Sequence, residues 1–166
     1  MKKVIFHQLA YSQITSAIIE ANNDYEVGGV VLGRKMFGGY IITALTFPEK
    51  TQEQTINSFL LDGCYHMHKA NSLVDEFWLA PEIIGIWHSH ICDGPIFSKQ
   101  DKISNRVFSQ IYNGAVSVLV TMREGEVKVV SYYVKPNGTD QLCETIISSK
   151  RNYICRLISM RRKKRG

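Results

Sequence analysis

One stretch, residues 83–101, limits the fold more than any other part of the sequence. It opens with a short apolar run at 83–87, which predicts a buried strand, and this strand ends in His88-Ser89-His90. Side chains two residues apart on a strand point the same way. The sequence therefore predicts a strand that directs two imidazole rings, those of His88 and His90, toward one point.

A turn and a helix are predicted directly after these histidines. Residues 92–95 are Cys-Asp-Gly-Pro, a composition that favours a turn. Ser98 suits the N-cap position of a following helix, whose apolar residues recur at helical spacing: Ile103, Val107, Phe108 and Ile111. Asp101 falls in the first turn, where a helix N-terminus favours a carboxylate. We expect Asp101 to face back toward the histidines.

Two imidazoles and one carboxylate give three protein ligands for a metal ion. Three is the number that a catalytic zinc ion takes when its fourth position stays open to water. We therefore interpret His88, His90 and Asp101 as ligands of one zinc ion per chain, in a site that performs chemistry rather than one that only stabilises the fold.

A second His-x-His pair offers a competing site. His66 and His68 follow Cys64, but the pair lacks a preceding apolar strand and a following Ser-x-x-Asp sequence. Because short motifs match by chance, we interpret these two histidines as structural or exposed. The neighbouring Cys64 keeps metal binding open as the alternative.

A hydrolase with a metal ion also needs a group that takes up and returns a proton. Glu26 lies in Asp-Tyr-Glu-Val-Gly-Gly, residues 24–29, between a predicted amphipathic helix and a glycine-rich strand. Glutamates at such junctions are mostly solvated or cap a neighbouring element. From its position alone, Glu26 is either structural or this proton carrier.

The combined pattern resembles the JAMM motif of the JAB1/MPN/Mov34 metalloprotease family. The shared residues, in the family's order and with its inner spacings, are Glu26-x-x-Gly29, His88-x-His90, and, after seven residues, Ser98-x-x-Asp101. The resemblance extends over residues 5–135, most of the chain. It is specific because it joins two distant segments.

The resemblance implies a role for each of these residues. His88, His90 and Asp101 would hold zinc. Glu26 would be the general base and acid for the water at the metal. Ser98 would donate a hydrogen bond to the tetrahedral oxyanion. The reaction implied is hydrolysis of a peptide or isopeptide bond at the C-terminus of ubiquitin or a ubiquitin-like modifier.

The resemblance also implies a fold and a biological setting. The fold is α/β, with a mixed central β-sheet flanked by helices on both sides, as in the MPN/JAB domain and cytidine-deaminase-like proteins. Compact bacterial and archaeal members of the family include deconjugases encoded beside E1-like and E2-like conjugation enzymes in antiphage defence systems. We expect a ubiquitin-like protein or its conjugate as substrate. A catalytically inactive MPN scaffold in a larger complex is the alternative.

Two residues after the histidine pair bear on this interpretation. Where the family usually has proline, this chain has Ile91. Proline there shapes the turn and is no ligand, so activity is not put in doubt. Cys92 is either an ordinary loop residue or a thiol that reaches the open metal position and blocks it.

The remaining periodicity predicts the other elements of the sheet and its helices. The predicted helices are 8–23, 63–73 and 98–112; the predicted strands are 27–34, 40–47, 55–62, 83–88, 116–122 and 127–134. Turns are expected at 35–39, 123–126 and 135–138. This order fits a mixed sheet with a helix packed on each side.

The C-terminal segment differs from the rest in character. We predict a domain over 1–142, followed by a helix that begins at Cys143 and a basic tail, 143–166, which either closes the core or docks a partner. The five cations at 161–165 equal the net charge of +5 in size. A basic tail can contact nucleic acid, but no aromatic residues interleave with this one. We therefore do not expect a nucleic-acid function.

Length and composition indicate a single globular domain. The chain has 166 residues, 45% of them hydrophobic and 21% charged, which is enough to bury a core. The N-terminus lacks the pattern of a signal peptide, and no apolar run is long enough to span a bilayer. The four cysteines are expected to be reduced, and the protein to be cytoplasmic without membrane contact.

Overall fold

The computed structural model describes residues 1–22, 24–48, 54–55, 58–59, 63–76, 81–91 and 94–148. In these ranges the helices are α1 (Gln8–Ala21), α2 (Gly63–Glu76) and α3 (Lys99–Ile111). The strands are β1 (Lys3–His7), β2 (Gly28–Met36), β3 (Gly39–Leu45), β4 (Gln54–Thr55), β5 (Ser58–Phe59), β6 (Glu82–His90), β7 (Ala115–Arg123), β8 (Glu126–Val134), β9 (Asp140–Leu142) and β10 (Glu144–Ser148). None of the described helices combines the length and the apolar content that a membrane crossing requires.

Eight of the described strands form one mixed sheet in the order β10-β1-β3-β2-β6-β7-β8-β9. Strand β1 runs parallel to β3 and β10, β6 runs parallel to β7, and the other neighbours are antiparallel. The two edge strands follow each other in the chain with only Cys143 between them, and the Cys143 N–H donates to the Ser131 carbonyl at 2.9 Å. The sheet is therefore nearly closed, and the predicted α/β class is confirmed.

Helices cover both faces of this sheet because successive strand residues point to opposite sides. Val31 packs in the main core, to which α1 contributes Ile14 and Ile18. Leu32, the next residue of β2, packs instead with Ala70 of α2. The prediction of a mixed sheet with helices on both sides is thereby confirmed.

Helix α1 forms where its sequence predicts an amphipathic helix. Its buried residues are Ala10, Ile14, Ile18 and Ala21, which lie on one face at spacings of four and three. The His7 Nδ1 accepts a hydrogen bond from the Leu9 N–H at 3.3 Å and caps the first turn. The helix ends because Asn22 adopts the left-handed conformation, with φ of 48°, which asparagine tolerates well.

The predicted helix from Cys143 is wrong over 144–148, which form strand β10. Here Ile146 and Ile147 pair in parallel with Ile5 and Phe6 of β1, a strand that sequence periodicity did not predict. Pairs of β-branched and aromatic side chains favour the strand, and β1 supplies the edge with which it pairs. Residues 149–166, with the basic tail, lie outside the described ranges.

Most other predicted elements agree with the structure to within two residues at each end, and two differ by more. Helix α2 continues to Glu76, three residues beyond the predicted end. The strand predicted over 55–62 is described only at β4 and β5, which pair with each other as a separate two-stranded sheet. The rest of that segment lies outside the described ranges.

Candidate metal centre

The end of β6 holds both histidines of the 88–90 motif on one face. Trp87 lies in the main core, so strand alternation directs His88 and His90 to the opposite face. Both are buried. Their ring centroids are 4.9 Å apart, and the two Nε2 atoms lie 3.0 Å from each other. The predicted convergence of the two imidazoles is confirmed.

Asp101 reaches these rings from the first turn of α3. Ser98 is the N-cap: its Oγ accepts a hydrogen bond from the Asp101 N–H at 3.1 Å. In return, the Ser98 N–H donates to Asp101 Oδ2 at 2.7 Å, which completes a capping box. The cap fixes the carboxylate, whose Oδ1 lies 3.1 Å from His88 Nε2 and whose Oδ2 lies 3.1 Å from His90 Nε2.

This donor set fits a metal ion. In the described part of the chain, His88, His90 and Asp101 are the only group of three or more potential ligands, and their ligand atoms all lie within 4.8 Å of one another. Tetrahedral bonds of 2.0–2.1 Å place ligand atoms about 3.3 Å apart, close to the separations in this site. A cation at the centre of the site would also suit its chemistry, because two ring nitrogens face each other there beside a carboxylate.

The charges around Asp101 favour its ionised form. Burial by itself would raise the pKa of Asp101, but hydrogen bonds with His88, His90 and Ser98 hold this pKa well below its usual range. The hydrogen bond with Asp101 raises the pKa of His90 against the opposing effect of burial, and the charge of Glu26 raises it further. The carboxylate is therefore available as an anionic ligand, and Glu26 is close enough to act on His90.

The position of Glu26 follows from the pairing of β2 with β6. In this antiparallel register Gly28 is opposite His88, and the Ser89 N–H donates to the Val27 carbonyl at 2.7 Å. Continued past Val27, this register would bring Glu26, two residues before β2, to the level of His90, and the half-buried Glu26 is close enough for its charge to raise the pKa of His90. Glu26 therefore lies near the histidine pair.

Gly29 lets β2 approach the end of β3 closely. A side chain at Gly29 would collide with the carbonyl oxygen of Thr46. This contact gives the Glu-x-x-Gly spacing a physical reason, because only glycine lets the segment that carries Glu26 lie so tightly between its neighbouring strands.

Within the described residues, His66 and His68 belong to no group of three potential metal ligands. His66 is fully buried on α2, and its Nδ1 lies 2.6 Å from Thr46 Oγ1. His68 and Cys64 are exposed on the same helix. The interpretation of this pair as structural or exposed is confirmed: His66 is buried and structural, and His68 is exposed. Ile91 is half-buried, and Cys92 lies outside the described residues.

Two residues that support the site were not singled out from the sequence. The Ser89 Oγ accepts a hydrogen bond from the Val27 N–H at 2.9 Å. The Tyr132 hydroxyl donates to the Pro95 carbonyl at 2.6 Å, and its ring lies 4.6 Å from that of Phe97. Tyr132 therefore holds the loop between the histidines and Ser98. No local signal identifies Tyr132, whereas the position of Ser89 between two ligands is visible in the sequence.

Comparison with known proteins supports the fold and leaves the family open. No protein-family model matches this chain, and no curated protein matches it. The fold is similar to the solution structure of protein DSY2949 from Desulfitobacterium hafniense, with a TM-score of 0.69 and 15% sequence identity over 89% of this chain and 94% of that chain. A likeness at this identity concerns the fold alone, since one fold supports many functions.

Proposed function

We propose that this protein is a zinc-dependent peptidase or isopeptidase of the JAMM type, which hydrolyses the bond after the C-terminus of a ubiquitin-like modifier. The observation that carries this proposal is the convergence of His88, His90 and Asp101, with Glu26 two residues before the adjoining strand β2 and close enough for its charge to raise the pKa of His90. Two imidazoles and a carboxylate suit zinc better than magnesium or calcium, which prefer oxygen ligands.

Three protein ligands would leave the fourth position of a zinc ion open to water or substrate. A zinc ion bound by them would supply Lewis-acid activation of water and of the scissile carbonyl. Asp101 is held in its ionised form by its hydrogen bonds, so it binds the cation without first losing a proton. The capping box of Ser98 and Asp101 fixes the direction of the carboxylate before any ligand arrives.

Glu26 performs the proton transfers in this proposal. It takes a proton from the attacking water and returns it to the amine of the leaving group, so that the carboxylate is restored after each turnover. Its half-buried position beside His90 supports this role, because a general base must reach the water that is bound near the histidines.

Ser98 stabilises the oxyanion. Its Oγ already accepts the Asp101 N–H, which orients the oxygen. Within the described residues the Ser98 hydroxyl donates no hydrogen bond, and Ser98 is exposed. This hydrogen is therefore available to the negative oxygen that develops when water adds to the carbonyl, a form of stabilisation that typically contributes about 10²–10³-fold to kcat.

The experiment is a cleavage assay of zinc-loaded protein on a panel of ubiquitin-like proteins fused through their C-termini to a reporter. Glu26→Gln should lower kcat roughly 10²–10⁴-fold, the contribution typical of a general acid–base group, while bound zinc stays at one ion per chain. Glu126→Gln, at the exposed first residue of β8, is the matched control and should cleave normally. Unchanged turnover in Glu26→Gln, or no cleavage of any fusion by the loaded wild-type protein, would contradict the proposal.

A further inference from the structure

Helix α3 carries a row of apolar side chains that faces water. Ile103, Val107 and Ile111 are 58%, 52% and 70% exposed. They are four residues apart, so neighbouring side chains are about 5–6 Å apart on one side of the helix. The buried residues of α3, Asn105 and Ser109, lie on the other side. The described fold thus turns the apolar side of this helix outward.

Two cations, Lys102 and Arg106, border this row on one side, and a third, Lys99, continues the row one turn before Ile103. Lys99, Lys102 and Arg106 are exposed, and none of them forms a salt bridge within the described residues. On the other side lie the uncharged Gln100 and Ser104. The outward face of α3 therefore combines a straight apolar row with an uncompensated positive border.

We propose that this face of α3 docks an amphipathic helix of a protein partner, whose apolar row is bordered by Asp and Glu side chains. A straight row of β-branched residues one turn apart matches the groove between the side-chain ridges of another helix. The carboxylates of the partner would meet Lys99, Lys102 and Arg106, and complementary charges of this kind select the partner and speed its association.

Charge argues against two occupants that the protein itself could supply, the C-terminal segment and a second copy packed antiparallel. The C-terminal residues 149–166 contain no Asp or Glu, so they cannot balance the positive border. A second copy that packs α3 antiparallel against α3 brings like flanks together, and the basic border then meets itself. Like charges in contact oppose such an interface.

The docking row and the candidate metal centre lie on opposite sides of the same helix. Asp101 is in the first turn of α3, two residues before Ile103, and residues two apart on a helix do not face the same way. The partner would therefore contact the helix that positions Asp101 rather than the centre itself, and its binding does not depend on any catalytic activity.

The test uses two synthetic helical peptides of equal length that share one apolar face, bordered by Glu in one peptide and by Lys in the other. Binding to the isotope-labelled full chain is followed by amide chemical shifts and fluorescence anisotropy at low salt. We expect the acidic peptide to shift α3 amides and to bind at least about tenfold more tightly than the basic one, a difference of about 1.4 kcal/mol. Added salt should weaken the binding.

Substitutions locate the contact and test whether charge determines which peptide binds. Ile103→Ser with Val107→Ser should weaken the acidic peptide at least about tenfold, whereas Ile19→Ser, at a residue of α1 that is 59% exposed, should not. Lys102→Glu with Arg106→Glu should reverse the preference in favour of the basic peptide. This reversal is a gain of binding that an unfolded variant cannot mimic.

Three outcomes would overturn the proposal. The first is the absence of binding by the acidic peptide, or binding that Ile103→Ser with Val107→Ser leaves unchanged. The second is a concentration-dependent dimer, seen by sedimentation, that the same double substitution abolishes, which would assign the face to a second copy. The third is co-sedimentation with vesicles of anionic phospholipid through this row, which would assign it to a lipid surface.

Discussion

The Ser89 hydroxyl accepts a hydrogen bond from the backbone N–H of Val27 at 2.9 Å, across the end of the β2–β6 pair. In a regular antiparallel ladder the carbonyl of the opposite residue would accept this N–H. Ser89 lies between the two histidine ligands, and Val27 follows Glu26. The bond therefore ties the proposed general base to the strand that carries the metal ligands.

Ser89→Ala should lower the rate of cleavage more than it lowers zinc affinity. The substitution leaves the buried Val27 N–H without its acceptor, at a cost of roughly 1–3 kcal/mol in the free energy of unfolding. It also loosens the segment of Glu26, so we expect kcat to fall several-fold while zinc affinity changes little. Urea unfolding, zinc titration and steady-state kinetics measure the three effects.

The control for this substitution is Ser117→Ala on the neighbouring strand β7. The Ser117 hydroxyl is equally buried but makes no hydrogen bond within the described residues, so its removal should leave stability, zinc affinity and kcat nearly unchanged. Equal losses of kcat in the two variants would assign the effect of Ser89 to general packing.

Asp101→Asn should abolish tight metal binding. The amide keeps the shape of the carboxylate but not its charge, and it removes one of three protein ligands. Loss of a supporting residue around a metal typically costs about 10–100-fold in affinity, so loss of a ligand should cost at least about 100-fold. Zinc content after dialysis against a weak chelator measures this, with the exposed Asp140→Asn as the control.

The same variant separates metal binding from folding. Zinc should raise the Tm of the wild-type protein, because a ligand of the native state stabilises it by mass action, and should leave the Tm of Asp101→Asn almost unchanged. If zinc raised both melting temperatures equally, the metal would bind somewhere other than the site formed by His88, His90 and Asp101.

Much of this site can be predicted from sequence because its parts are local. The alternation of a strand brings His88 and His90 together, and a Ser-x-x-Asp sequence at a helix start fixes Asp101 relative to Ser98. Both relationships involve residues close in the chain. The strand and the helix that contain them agree with the predicted ones to within two residues at each end, and Ser98 is the cap that the sequence predicts.

The position of Glu26 required information that periodicity does not contain. Its proximity to His90 depends on the register of β2 with β6, which joins segments some sixty residues apart. The error at Cys143 has the same origin. Ile146 and Ile147 fit a helical spacing with later apolar residues, but pairing with β1 at the other end of the chain makes this segment a strand.

The two histidines of α2 should respond differently to truncation. His66 is fully buried and bonded to Thr46, so His66→Ala should lower the free energy of unfolding by roughly 2–5 kcal/mol, as large-to-small changes in a core do. His68 is exposed, and His68→Ala should be within about 0.5 kcal/mol of the wild type. Loss of zinc in either variant that keeps its fold would contradict the structural interpretation of this pair.

Tyr132→Phe should weaken metal binding indirectly, through the loop that precedes Ser98. The ring still packs against Phe97, but the Pro95 carbonyl loses its 2.6 Å hydrogen bond, which contributes about 0.5–1.5 kcal/mol. The loop that positions Ser98 then gains freedom, and zinc affinity should fall by a few-fold. Tyr112→Phe on α3, whose ring stacks on Phe108, is the control and should bind zinc normally.

The closure of the sheet predicts a difference in reactivity between two thiols. Cys143 lies between β9 and β10, and burial raises the pKa of its thiol, against weaker opposing effects from the Tyr133 backbone and from Lys2. Only the thiolate reacts rapidly with iodoacetamide, so Cys143 combines poor access with a small thiolate fraction at pH 8. Cys64 is exposed on α2 and should be alkylated at least about tenfold faster.

Peptide mapping by mass spectrometry after timed alkylation measures both rates in one sample. In urea the two rates should converge, because unfolding removes both the burial and the pKa shift of Cys143. Fast modification of Cys143 in the native protein would mean that β9 and β10 do not close the sheet as described. If Cys143 reacts slowly until the protein reaches its unfolding midpoint, opening of the β9–β10 segment costs as much free energy as global unfolding. The β9–β10 closure would then belong to the cooperative core.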